Sequence, residues 1–163
     1  MIKPDGLRRL LLSTVPNLRD NPERLLMFID QGRLAARGTR KLAFEYRYKL
    51  NLVVQDYAGA IDDIMVPILA WISQYQPDLL ERGEREPFSF DSELMDANSA
   101  DVSIDIELTE VVLVERKPGG GFDVVHVPEP SRCDAFPGVE ETANLWQLLL
   151  RDEIEPSVTT IPE

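Results

Sequence analysis

The alternation of apolar and polar side chains is longest between Leu42 and Tyr57, LAFEYRYKLNLVVQDY. Phe44, Tyr46, Tyr48, Leu50, Leu52 and Val54 occupy every second position. Glu45, Arg47, Lys49, Asn51 and Gln55 fill the positions between, with Val53 as an apolar exception. A strand sends successive side chains to opposite faces, so this pattern predicts one long strand with a dry face and a charged face. Asp56-Tyr57-Ala58-Gly59 is turn chemistry. After it Ile61, Ile64, Met65, Ile68, Leu69 and Ile72 recur at helical spacing and predict an amphipathic helix over about residues 60–75. Strand and helix each carry one dry side, and packing them together excludes water from both. Six such side chains contribute on the order of 10 kcal/mol as an upper bound. Pro67 falls inside the helix and predicts a bend, or a helix start shortly before it.

The remaining elements follow from the same patterns. Residues 4–14 form a helix with Leu7, Leu10, Leu11 and Val15 on its apolar side, ending before Pro16. Asn17 to Glu23 reads as a polar connection. Leu25 to Arg37 reads as a hairpin turning at Gln31-Gly32, with Gly32 supplying a positive φ. Phe88, Phe90 and Leu94 alternate with polar residues and predict a strand. Val102, Ile104, Ile106 and Leu108 predict another, whose alternation slips at Glu110, as a bulge or a strand that leaves one partner for another would make it. Lys117 to Gly121 is a turn into a short last strand, Phe122 to Val127. From Pro128 onward prolines interrupt the chain and one apolar patch remains, Leu145 to Leu150. The expected organisation is an α+β domain over 1–128, a mainly antiparallel twisted sheet with a central amphipathic helix on one face and an N-terminal helix. Residues 129–163 are expected to form an extended arm with one short helix.

Composition narrows the function more than it names it. At 163 residues, 44% hydrophobic and 28% charged, the chain suits one domain with a real core. No apolar run approaches the roughly 20 residues that cross a bilayer, and charges interrupt the N-terminus where a signal peptide would be apolar. A cytosolic, membrane-free protein is therefore expected. A formal charge of −12 argues against a sequence-independent grip on nucleic acid. The single cysteine, Cys133, excludes an internal disulfide and a cysteine-built zinc site.

Catalytic chemistry finds little footing. His126, the lone histidine, has no serine or cysteine companion motif. Gly119-Gly120-Gly121 lacks the lysine and the strand-to-helix setting of a phosphate loop. Asp96, Asn98 and Asp101 miss the calcium-loop spacing. Asp62 and Asp63 are explained by the helix macrodipole. No enzyme activity, cofactor or metal is expected.

Several segments in order, MIKPDGLRRLLLSTVPNL, FIDQGRLAARGT, LAFEYRYKLNLVVQDYAG, MVPILAWISQYQPDLL and DVSIDIELTEVVLVE, resemble the phage tail completion protein R (GpR) family of contractile-tailed phages and prophages. The likeness covers about residues 1–116. It implies a structural protein that completes the tail at its head-proximal end, a tail terminator-like α/β subunit assembled as a ring of six. Its partners would be copies of itself, the tail tube and sheath proteins and the head–tail connector. It would reside in the virion tail, and in the host cytoplasm during assembly. A transient tail-assembly chaperone, or a binding module that leaves the virion, is the alternative. The family has no catalytic residues to carry over. The interface candidates are the mixed-charge face Glu45, Arg47 and Lys49, the charged loop with Arg82, Glu84, Arg85 and Glu86, and Leu145 and Trp146 in the arm. A solvated sheet face would equally explain the first group. The acid surplus would face the lumen of a ring.

Overall fold

The computed structural model describes residues 1–38, 42–81, 86–95 and 99–129. It is an α+β fold. Helix α1 spans Lys3–Thr14 and α2 spans Pro16–Asp20, followed by a single 3₁₀ turn at Pro22–Arg24. Strands β1 (Leu25–Gly38) and β2 (Leu42–Tyr57) come next. Helices α3 (Asp62–Tyr75) and α4 (Asp78–Glu81) precede β3 (Ser89–Leu94), β4 (Ala100–Arg116) and β5 (Phe122–His126). The strands form one antiparallel sheet in the order β1-β2-β4-β3, with β5 also paired to β4. The stretch expected to be a polar connection is thus largely helical. Pro16 and Pro22 each open a turn, where a missing N–H costs nothing, and Leu18 anchors α2 in the core.

The sheet has one covered face. Leu50, Leu52 and Val54 of β2 and Val102, Ile104 and Ile106 of β4 join Leu7 and Leu11 of α1 and Ile64, Ile68 and Ile72 of α3 in one buried cluster. α3 begins one turn before Pro67, whose ring is itself buried. The helix's dry stripe runs through Pro67 and Trp71, and Leu69, expected on it, is exposed. Gly6 of α1 lies against Trp71, where an added Cβ would sit 3.7 Å from the indole nitrogen. Phe44 and Tyr46 are half-buried, with their rings edge to face at 5.0 Å.

Two local expectations are overturned. Leu25 to Gly38 is one continuous strand paired with β2 along its length, not a hairpin. The register shifts between Asp30 and Arg33, and Gln31, not Gly32, takes the positive φ of 52°. Gln31-Gly32 is a bulge, a two-for-one mismatch that bends a strand without reversing it. At Glu110 the opposite happens: β4 pairs with β2 without a shift from Val102 to Val114, and Glu110 stays on the dry face. The apparent slip is a buried carboxylate, not a bulge, although β4 does change partner along its other edge here, from β3 at residues 100–105 to β5 at residues 112–116.

Candidate functional site

The mixed-charge face is built by β2. Glu45, Arg47 and Lys49 alternate with the core-facing residues and share the outer side of the sheet. The guanidinium of Arg47 donates to Glu45 Oε2 from Nε at 2.9 Å and Nη2 at 2.7 Å. Lys49 Nζ reaches across to Asp105 Oδ2 at 2.8 Å, and Asn51 Nδ2 donates to Asp105 Oδ1 at 2.7 Å. The hydrogen bond from Asn51 and then that from Lys49 hold the Asp105 carboxyl below its ordinary range, and Asp105 raises Lys49 in return. These charges compensate one another within the subunit, so the face is close to neutral along β2. Arg47 does sit directly across from Arg33 of β1, a like-charged pair at the strand edge. Glu86 is exposed just ahead of β3. Arg82, Glu84, Arg85, Leu145 and Trp146 lie outside the described residues.

A second polar constellation, which sequence reasoning missed, is buried where β2, β4, β5 and the helices meet. Glu110 is 3% exposed. Its Oε1 accepts from the Tyr48 hydroxyl and, at 3.3 Å, from the Lys3 amide; Oε2 accepts from the Ile2 amide at 2.8 Å. His126 Nδ1 lies 3.0 Å from Oε2, off the line of a hydrogen bond. Burial alone would raise the Glu110 carboxyl. The Tyr48 hydroxyl, the two backbone N–H groups and the nearby N-terminal charge outweigh it and hold Glu110 below the ordinary range. Burial and then the Glu110 hydrogen bond push the Tyr48 phenol far up, so it stays a donor.

Gln76 caps this centre. It follows α3 and is 1% exposed. β3 pairs with β4 at residues 100–105 and β5 pairs with it at 112–116, which leaves a gap along that edge of β4. Gln76 Oε1 accepts from the Thr109 amide at 3.2 Å and Nε2 donates to Thr109 Oγ1 at 3.1 Å, so one side chain stands in for a strand there. The same Oε1 accepts from Lys3 Nζ at 2.7 Å, and Lys3 Nζ also binds Glu129 Oε1 at 2.7 Å. A chain of polar contacts therefore ties the N-terminus, the sheet, α3 and the last described residue together. The clue in the sequence was the carboxylate at an apolar-parity position of a strand.

The rest of the described surface carries acidic and apolar side chains. A shallow depression along β3 and β4 is lined by Asp91, Glu93 and Asp101 with Val53, Ser92, Val102 and Ser103. Among the described residues no group of three or more His, Cys, Asp or Glu could hold a metal ion. No described helix is long and apolar enough to cross a membrane. Large apolar side chains do stand open, among them Leu34 at 57%, Phe90 at 54%, Leu94 at 78% and Phe122 at 62% exposed. The strand expected from the alternation of Phe88, Phe90 and Leu94 forms as β3; it lies at the sheet's edge and is exposed throughout.

Comparison with known proteins identifies the family. No solved structure matches the chain. The tail completion protein R of Escherichia phage P2 is 39% identical over 132 residues, covering 80% of this chain and 84% of that protein. The family model for P2 phage tail completion protein R (GpR) matches residues 1–130, which takes in every described element from α1 to β5. The chain belongs to the P2 phage tail completion protein R (GpR) family.

Proposed function

We propose that the chain is a structural subunit that completes a contractile phage tail at its head-proximal end. It assembles there as a ring of six and touches the tube, the sheath and the connector. Family membership supports the tail-completion role. The observation that carries the assembly reading is the open edge of β1. This strand is 14 residues long, forms one margin of the sheet and is exposed from Phe28 to Ala36. A long edge that no other described strand pairs, even one bulged at Gln31-Gly32, is a hazard for a lone subunit and a ready joint for a repeated one. β3 offers a second exposed edge on the other side of the sheet. Arg33 and Arg47, side by side next to the β1 edge, and Glu86 ahead of β3 supply charge at the two margins. In the ring the surplus of acid lines the lumen, so DNA passes without adhering; a lumen lined by lysine and arginine would refute that arrangement.

Purified tails analysed by quantitative mass spectrometry test the reading. A completion ring stays at fixed stoichiometry with the tube protein. Absence from finished tails, with association only during assembly, identifies a chaperone instead.

A further inference from the structure

Among the described residues two margins of the sheet lack a partner strand, β1 on one side and β3 on the other. Every pairing along the path β1-β2-β4-β3 is antiparallel, so β1 and β3 run in opposite directions. The ladder also fixes their relative height. Phe90 is opposite Ile104, Ile104 opposite Leu52, and Leu52 opposite Met27. Phe90 and Met27 therefore stand level, on the face that carries the buried cluster.

Provided the subunits form a ring, as the tail-completion reading requires, we infer that β3 of each subunit is extended by β1 of a second copy. Residues 26–29 of one run antiparallel to residues 88–91 of the other, with Met27 opposite Phe90. Identical subunits turned about an axis parallel to the strands keep their strand direction and height. β3 then meets the next β1 antiparallel and without a step along the strands, the condition for a head-to-tail contact to close. The side chains agree with this register. On the covered face Met27 and Ile29 come beside Phe90 and Phe88. Ile29 and Phe90 are 42% and 54% exposed in the lone subunit, while Met27 and Phe88 already pack against its core. The pairing therefore carries the core across the boundary. The limits of the two edges coincide as well. Asp30, the last residue before the β1 bulge, comes level with Pro87, which has no N–H to offer a ladder. On the outer face the exposed Asp91 and Glu93 come beside Arg24, which precedes β1. Pairing β1 with a second β1 about a two-fold axis would leave Phe90 and the β3 edge bare.

Within one subunit three strand spacings, about 14 Å, separate β1 from β3, beyond the reach of a disulfide. A bond between cysteines at positions 28 and 89, opposite one another in this register, can therefore only join copies. The full chain carrying Phe28→Cys, Ser89→Cys and Cys133→Ser is to be oxidised in purified tails. The expected result is a ladder of covalent multimers of this chain extending beyond the dimer. Phe28→Cys with Glu93→Cys, four residues out of register, should give at least tenfold less. Independently, Phe90→Lys should keep the circular dichroism of the parent and lower the amount of chain in tails at least fivefold. Tails that hold the chain at fixed stoichiometry but give no ladder would overturn the inference and leave the completion role standing. So would a ladder from the out-of-register pair, or full incorporation of Phe90→Lys. Dimers from Phe28→Cys alone would overturn it in favour of a two-fold β1 joint. Absence of the parent chain from finished tails would overturn the completion reading, and this inference with it.

Discussion

Replacing Glu110 by alanine removes the acceptor for three donors at once. The Tyr48 hydroxyl and the Lys3 amide belong to buried residues, and the Ile2 amide to an exposed one. Water can reach Ile2, so two donors are left orphaned. An orphaned buried donor costs about 1–3 kcal/mol, and the void left by the side chain adds to it. The expected loss is about 3–5 kcal/mol, a large share of the roughly 5–15 kcal/mol that hold a domain together. Glu110→Gln keeps the volume and one acceptor oxygen and should lose about 1–2 kcal/mol. Urea unfolding followed by circular dichroism measures both. The pH dependence gives an independent readout. Glu110 titrates below the ordinary value of a glutamate in the folded protein, so its contribution is complete above about pH 4.3 and is lost as pH falls through the folded value. Glu110→Gln should flatten that acid limb and leave the neutral plateau lower. A Glu110→Ala protein within about 0.5 kcal/mol of the parent at pH 7 would refute the reasoning, because surface changes lie in that range. So would an acid limb identical in Glu110→Gln.

Four further expectations follow from single contacts. Gln76→Leu strips the Thr109 amide and Lys3 Nζ of a partner and should cost about 2–4 kcal/mol in urea unfolding. Ile68→Ala empties a fully buried site between helix and sheet and should cost about 2–5 kcal/mol. Gly59→Ala places a Cβ 2.5 Å from the Tyr57 hydroxyl oxygen and 2.7 Å from its ring carbon. Tyr57 is 2% exposed and cannot swing clear, so a loss of about 1–3 kcal/mol is expected, read as a lower thermal midpoint. Arg33→Glu, at an exposed edge position, should change stability by no more than about 0.5 kcal/mol yet reduce incorporation into tails; unchanged incorporation would remove the β1 margin from the assembly joint.

The large elements were legible because their periodicity was unbroken. β2 runs from Leu42 to Tyr57 and carries its apolar residues on the alternate positions, as a half-buried strand must. α1 and α3 were legible for the same reason, with their stripes drawn by Leu7 and Leu11 and by Ile64, Ile68 and Ile72. The failure at Gln31-Gly32 is instructive. Gly in a strand pattern signals either reversal or a bulge, and the two differ only in what lies alongside. β2 is long enough to pair with both halves of β1, so tertiary pairing decided for the bulge.

Glu110 misleads in the opposite direction, since a charged residue at an apolar position reads as a break in the pattern. Periodicity assigns a side chain to a face but says nothing about the donors waiting there. The donors come from Ile2 and Lys3, more than a hundred residues away in sequence, and from Tyr48, one of the residues on the dry face of β2. Burying a carboxylate alone is costly, whereas one met by three N–H or O–H donors is stable and fixes its neighbours. The mixed-charge face shows the converse limit. Glu45, Arg47 and Lys49 were legible as one side of a strand, but their pairing is split, with Arg47 turned to Glu45 and Lys49 to Asp105. Net charge along a strand therefore cannot identify a joint. Among the described residues the features left without a partner are instead backbone and hydrocarbon: the open edge of β1 and the exposed apolar side chains Leu34, Leu42, Phe122 and Val124. Both become apparent only when the register shows where the helices end.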